Sequence, residues 1–328
     1  MSQAPSVAII GAGMSGLSAA TRLRQAGLPV TLFDKSRGSG GRMSSKRTDL
    51  GTFDMGTQYF TARDPGFAAA VDHWRTKGWV AEWQPRLFRY DDQGLEPSLD
   101  QQQRFVGSPR MTALSRGLLG DLPLHSSTRI EQLQRADTQW LLLDSEGEQH
   151  GPFDRVIVAI PPAQALPLIE GTAALAAPAA QSEMEPGWAV ALGFSDPLDL
   201  PLDAVFVRHG PLDWIARDAS KPGRGSAETW ILQSTPGWAN AHLASEPQTV
   251  IDELLSAMQT VVGKQLPTPT FQHAHRWLYA RPAVASDWGA LAAPAQGLYT
   301  CGDWCLGGRL EAAWLSGQRA AKALLDAA

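Results

Sequence analysis

Six residues near the N-terminus constrain this chain most. Gly11–Gly16 reads GAGMSG, which sets Gly11, Gly13 and Gly16 in the spacing G-x-G-x-x-G. The pattern is weak alone and gains meaning from its setting. It follows a short β-branched run, Ser6–Ile10 (SVAII). It opens a stretch with apolar residues at helical spacing, Leu17–Ala26, which Gly27 is placed to end. A second strand-like run, Pro29–Asp34 (PVTLFD), completes a βαβ start within the first 34 residues. In such a unit the first glycine makes the tight turn. The second lets the backbone approach a pyrophosphate, and the third allows close helix–strand packing. The helix N-terminus adds unpaired N–H groups and a positive dipole end. Asp34, 18 residues beyond Gly16, is placed to accept hydrogen bonds from ribose hydroxyls. It would repel a 2′-phosphate, so a plain adenosine dinucleotide is expected. The bland alternative, a glycine turn and an unrelated surface aspartate, leaves the βαβ setting unexplained.

A second glycine cluster separates FAD from NAD. Gly40-Gly41-Arg42 lies just after Asp34, where a long FAD molecule would continue, with Arg42 reaching toward the pyrophosphate. A solvated basic loop is the competing reading.

Composition narrows the class. At roughly 100–200 residues per domain, 328 residues suggest two. The chain is 44% hydrophobic and 19% charged, an ordinary globular mixture. A net charge of −5 argues against nucleic acid as a partner. No apolar run is long enough to span a membrane, and the opening MSQAPS lacks the basic region of a signal peptide. Cys301 and Cys305, spaced C-x3-C, suit neither a disulfide scaffold nor a zinc site. A cytoplasmic protein with no metal is expected.

Further along, Asp64–Val80, Ser108–Leu119, Gln248–Val262 and Leu310–Ala327 read as helices. Leu122–Arg135, Gln139–Leu143, Arg155–Ile160 and Leu298–Cys301 read as strands. Thr172–Gln181 is Ala/Pro-rich and carries little signal. From Gly187 to Ser234 short alternating runs point to an antiparallel sheet, with Thr270–Leu278 a further strand. The fold class is therefore α/β: a Rossmann-type dinucleotide-binding domain with a smaller α+β domain containing an antiparallel sheet.

GAGMSG, Asp34, GSGGRMSS, Asp54–Tyr59 (DMGTQY), RVIVAIPP and GDWCLGGRLEAAWLSG together resemble the flavin-containing amine oxidase superfamily. Matches at the start, middle and end span the chain. Compact length, DMGTQYFTAR and His273–Ala280 (HAHRWLYA) are most similar to its renalase-like bacterial branch. The resemblance implies noncovalent FAD and, for that branch, oxidation of the 2- and 6-dihydro isomers of NAD(P)H to NAD(P)+. Hydride would pass to flavin N5, and O2 would reoxidise the flavin to H2O2.

The resemblance also implies contacts. Gly11, Ala12, Gly13, Ser15 and Gly16 would hold the pyrophosphate, with Asp34 and Lys35 at the ribose. Gly41 and Arg42 would follow the phosphates. Gly56, Thr57, Gln58 and Tyr59 would pass near the flavin ring, and Ile130 would touch the adenine. Gly302 and Asp303 would meet the ribityl or pyrophosphate region. Leu310, Glu311 and Ala312 would present a helix start to the pyrimidine edge. Two departures count against amine oxidation. No lysine matches the one many amine oxidases place near the flavin, and Cys305 lies in the wrong segment for a covalent link.

A dihydropyridine needs only its hydride-bearing carbon over N5, so no catalytic acid or base is assigned. Tyr59, Trp277 and Trp288 are candidate walls; Gln58, His275 and Arg276 are candidate polar anchors. His273 and His275 share a strand face but lack a third metal ligand, and Ser15 is outside any G-x-S-x-G motif. Alternatives are an amine- or polyene-oxidising relative and an FAD-binding sensor without turnover. The partners expected are a small dinucleotide and O2.

The expected FAD-binding domain comprises residues 1–65, 106–163 and 290–328, and the substrate domain 66–105 and 164–289. Nine of the twelve tryptophans fall in the second, which makes an aromatic-walled pocket expected there.

Overall fold

The computed structural model describes residues 4–327. Its first sheet has six strands, in the order Leu291–Ala293, Leu298–Thr300, Arg155–Val158, Val7–Ile10, Val30–Asp34 and Leu124–Ser126. All neighbours pair in parallel except the first two. Val7–Ile10 is central and buried along its whole length. That burial on both faces is why its sequence is continuously apolar rather than alternating.

The first helix, Met14–Gln25, packs against the closing helix, Leu310–Asp326. Their approach needs a residue without a side chain: a Cβ on Gly317 would run into the Ser15 carbonyl. The Ser18 hydroxyl donates to the Trp314 carbonyl at 2.7 Å across this contact.

The second sheet has seven strands. Their order is Phe271–Pro282, Met184–Phe194, Glu228–Ser234, Leu212–Arg217, Ala204–Val207, Leu87–Asp91 and Gly94–Pro97. It is antiparallel except where Ala204–Val207 meets Leu87–Asp91. Helix Pro247–Val262 buries Val250, Leu254, Met258 and Val261, one helical stripe, in the same core as Val190, Trp230 and Leu232. A three-stranded sheet, Ile130–Ala136, Gln139–Asp144 and Gln149–Phe153, is hydrogen-bonded to neither but packs Ile130, Trp140 and Leu142 in one core with Ala8, Ile10 and Val156 of the first sheet. Two ribbons complete the strands: Ser45–Thr48 with Gly51–Asp54, and Val80–Trp83 with Arg104–Gly107.

Several elements differ from the sequence reading. The Asp64–Val80 helix runs only over Pro65–Thr76. Asp64 caps it, its carboxylate accepting from Phe67 N–H at 3.0 Å, and Gly78 at φ +72° turns the chain so that Val80 opens a strand. The Leu122–Arg135 run is two strands in different sheets, separated where Ser127 takes φ +56°. Thr172–Gln181 contains a helix, Ala173–Ala180, built on the high propensity of alanine. The early hairpins were not anticipated.

Residues 66–105 divide between the two cores. Helix Pro65–Thr76 and the Val80–Trp83 ribbon pack in the core that contains Leu17 and Leu23, whereas Leu87–Pro97 joins the second sheet. Trp74, Trp83 and Trp214 therefore fill the first core. Of the nine tryptophans in the expected substrate domain, Trp188 and Trp277 line the cavity described below.

Candidate functional site

A cavity of about 1800 Å³ begins at the carboxyl ends of the first sheet, where Ile10 and Asp34 end their strands and Ala159 follows Val158. It extends to the second sheet at Gln233 and His275–Arg281. Ligand pockets usually measure roughly 300–1,000 Å³, so this space has room for more than one ordinary ligand.

The glycine loop fits the first of these. Gly11 has φ +106°, and a Cβ there would meet the Ala159 carbonyl. A Cβ on Gly16 would collide with the Gly11 carbonyl and come within 3.3 Å of Ile9. The backbone thus folds on itself at Gly11 and Gly16, while Gly13 faces open space. No side chain caps the first helix, so its leading N–H groups are free to bind an anion. The Asp34 carboxylate accepts from Ala12 N–H at 2.7 Å and Ser36 N–H at 2.8 Å. These bonds fix the loop and orient the carboxylate at the cavity edge. Lys35 and Ile130 also line this end.

The next stretch differs from expectation in one respect. Arg42 makes a bidentate ion pair with Asp303, at 2.5 and 2.7 Å, and donates to the Ala280 carbonyl at 3.0 Å. Burial works against its charge, but Asp303 outweighs burial and raises the Arg42 pKa. Arg42 therefore clamps the glycine loop to the C-terminal segment and to strand Phe271–Pro282 at once. Arg42 and Asp303 both still line the cavity, with Gly41 and Gly302.

Gly56 and Thr57 line the middle. A Cβ on Gly56 would strike the Arg42 carbonyl and lie 3.3 Å from the Trp277 ring. Trp277 donates its indole N–H to the Met55 carbonyl at 2.9 Å, and its ring meets His275 edge-on with centroids 4.3 Å apart. Gln233 holds the Gly56 carbonyl at 2.6 Å. His275, Arg276 and Trp277 line the cavity as a wall. Burial, with Lys46 nearby, pushes the His275 pKa below its ordinary 6.5, so the imidazole is neutral at pH 7.

Several expected contacts lie elsewhere. Tyr59 is packed among Trp83, Trp214 and Arg104. Gln58 is buried, its amide donating to the Asp54 and Gly56 carbonyls. Trp288 packs on Trp304 and is 37% exposed. None of the three lines the cavity. Alternation accounts for Gln58, which points away while its neighbour Thr57 faces the cavity; Tyr59 instead is drawn into the first core, against Trp83 and Trp214. Ala12 and Gly16 support the loop from behind. Leu310 and Ala313 line the cavity, but Ala312 and Glu311 do not; the Glu311 carboxylate accepts from Arg63 and Asp64 N–H.

Behind the 54–58 segment lies a charged cluster that sequence reasoning missed. Lys221, Asp54 and Asp218 are fully buried. The Lys221 ammonium donates to Asp218 at 2.6 Å, Gln58 at 3.1 Å and Asp54 at 3.4 Å, and Arg224 pairs with Asp54. Burial would raise the Asp54 pKa, yet Lys221 and Arg224 hold it below its usual value; burial wins at Asp218 and raises it. The signal available was the charge-rich stretch Arg217–Arg224, which reads as an ordinary solvated turn. None of these charged groups lines the cavity.

Among the described residues, one carboxylate–imidazole group, Asp144, Glu148 and His150, has spacing suited to a cation. It belongs to the three-stranded sheet and lines no part of the cavity. Asp144 is already engaged by Glu146 N–H, Glu148 N–H and His150. Cys301 and Cys305 are buried and unpaired, and burial pushes the Cys305 thiol up to about 12.

Comparison with known proteins gives two family matches. Residues 9–74 match the NAD(P)-binding Rossmann-like domain, and residues 97–325 match flavin containing amine oxidoreductase. Among curated proteins, the chain is 52% identical over 50 residues to a 4,4′-diapophytoene desaturase (4,4′-diaponeurosporene-forming) of Staphylococcus haemolyticus (strain JCSC1435). That match covers 15% of this chain and 10% of the desaturase. The chain thus spans about a tenth of the length of the curated relatives it matches.

Three solved structures share the fold across nearly the whole chain. One, from Exiguobacterium sp. 255-15 and provisionally assigned as a protoporphyrinogen oxidase, has a TM-score of 0.78 at 15% identity, covering 99% of each chain. Reduced UDP-galactopyranose mutase has 0.77 at 13% identity, covering 99% of this chain and 96% of its own. Putrescine oxidase bound to putrescine has 0.73 at 13% identity, covering 98% and 99%.

Proposed function

The chain belongs to the flavin containing amine oxidoreductase family, and from that premise we propose that it is an FAD-dependent oxidase of isomeric dihydronicotinamides. The substrates of this reading are the 2- and 6-dihydro forms of NAD(P)H, with O2 as the second partner and the cytoplasm as the site of action. Bound noncovalently, FAD supplies the hydride acceptor at N5, and its reoxidation by O2 yields H2O2.

The observation that carries the proposal is the cavity itself. It is large enough for FAD and a second flat ligand, and its far wall is the Trp277–His275 pair beside Gly56 and Thr57. The Gly11–Ser15 loop and the first helix N-terminus would hold the pyrophosphate. Asp34 would accept from the ribose. Gly56 and Thr57 would run beside the ring system, close because Gly56 has no side chain. Trp277, pinned by Met55, would keep a planar substrate parallel to that surface. His275 is neutral, so it presents a hydrogen-bonding edge without adding charge. Hydride loss from a dihydropyridine creates no O–H or N–H proton to remove, so the wall needs no general base. No lining residue is assigned that role.

The family also admits amine oxidation, and putrescine oxidase shares the fold. The one buried lysine at the 54–58 segment, Lys221, is consumed by Asp54, Asp218 and Gln58 and is turned from the cavity. This disfavours an amine oxidation that depends on a free lysine. Anaerobic titration of the holoprotein with each dihydro isomer tests the proposal. Bleaching of the flavin by these isomers is expected, and indifference to them would sink it.

A further inference from the structure

The charge of the cavity wall is opposite to that of the protein. Ten cationic side chains and four carboxylates line it, in a chain of net charge −5. The pyrophosphate of FAD answers only about two of those positive charges. Arg42 and Arg281 are also answered, by Asp303 and by Glu185 with Asp213. Lys46, Arg47 and Arg116 are not: among the described residues no carboxylate lies within 4.0 Å of any of them.

These three are placed by structure rather than scattered. Lys46 and Arg47 are adjacent on the ribbon Ser45–Thr48, which packs back on Gly51–Asp54, just ahead of Gly56 and Thr57. Lys46 lies close enough to His275 to depress its pKa. Arg47 and Arg116 both bear on Arg110, whose pKa is lowered by burial and then by these two neighbours. Asp54 offsets only part of this repulsion at Arg110, whose pKa stays lowered, so the native fold holds a local excess of positive potential along this wall of the cavity. Such an excess attracts an anion and repels a protonated amine.

We infer that the second ligand of this cavity carries a phosphate or carboxylate that docks on Lys46, Arg47 and Arg116 while its reacting part lies against Trp277 and His275. The inference deepens the reading above, resting on its placement of FAD and of the substrate wall, but it fixes a chemical class wider than dihydronicotinamides. A substrate bearing a permanent cation and no anionic group is excluded by it.

The test is calorimetric titration of the FAD-loaded protein with NAD+, inorganic pyrophosphate and putrescine, at about 20 and 200 mM salt. NAD+ and pyrophosphate are expected to bind, about tenfold more weakly at the higher salt, and putrescine not to bind. In the double variant Lys46→Gln/Arg47→Gln, NAD+ affinity should fall about tenfold or more with FAD content unchanged, and Lys46→Arg/Arg47→Lys should restore it. Should the glutamine variant not fold, the salt dependence and the charge-keeping swap decide. Salt-insensitive NAD+ binding, an unaffected glutamine variant, or tight binding of putrescine would overturn the inference. Failure of dihydronicotinamides to bleach the flavin, with pyrophosphate still bound through Lys46 and Arg47, would remove the proposed reaction and leave the anionic class standing.

Discussion

Lys221 makes the sharpest demand of any single residue. Its ammonium and the carboxylates of Asp54 and Asp218 are all withdrawn from water, and each is tolerable only because of the others. Lys221→Met leaves two buried carboxylates with one guanidinium. It is expected to lower unfolding free energy by about 3–5 kcal/mol in a urea titration, whereas Lys77→Met on the surface should change it little. His275 gives a signed pH dependence. Its folded pKa lies below the ordinary 6.5, so the unfolded chain takes up the proton first. Its contribution is therefore neutral above pH 7 and turns destabilising as pH falls below 6.5 toward the folded pKa. His275→Gln should flatten the stability profile as pH falls through 6.5, and an unchanged profile would show that the imidazole is freely solvated. The sequence discloses the two residues unequally. His275 is marked by its alternation with Trp277 on a strand. Lys221 sits in a turn-like stretch, and its meaning depends on Asp54, far away in the chain, arriving at the same point.

At the scale of elements, the opening βαβ unit was legible because its signals agree: an apolar strand, spaced glycines, a helical stripe and a terminal acid within 34 residues. The turn is also its weakest point. Gly16→Ala drives a methyl group into the Gly11 carbonyl, so the purified variant should retain FAD at roughly a tenth of the normal level or less, by the ratio of flavin to protein absorbance. Full FAD occupancy would show that the loop has room it is not observed to have. The ribbons at 45–54 and 80–107 were not legible. Ser45–Thr48 is polar and short, Val80–Trp83 pairs with a strand some twenty residues on, and neither has a tight-turn signature joining its partners. Tyr59 was misplaced for a related reason: the motif that carries it was recognisable, but the face each residue shows depends on a local path no motif specifies.

The whole molecule is organised by interleaving. The first sheet draws strands from residues 7–34, 124–126, 155–158 and 291–300, so the wall of one cavity is completed by segments at both ends of the chain. The dispersed motifs anticipated that arrangement. They did not anticipate that residues 66–105 would divide between cores; the tryptophan excess is spent largely on packing, the commoner fate of a tryptophan at strand spacing. Trp74, Trp83 and Trp214 join the first core and Trp230 the second. Arg42 ties the two halves by binding Asp303 and the Ala280 carbonyl together. Asp303→Asn should therefore loosen the closure as well as the cofactor: lower thermal stability together with lower FAD retention is expected, while loss of FAD alone would confine Asp303 to cofactor contact. The proposed oxidation would take place in that shared cavity. Its most direct test is anaerobic stopped-flow mixing of the FAD-loaded protein with 6-dihydro-NAD, 2-dihydro-NAD and an amine such as putrescine, following the flavin band at about 450 nm. Rapid bleaching by the dihydro isomers and none by the amine is the expected result; rapid bleaching by the amine with the isomers inert would contradict it.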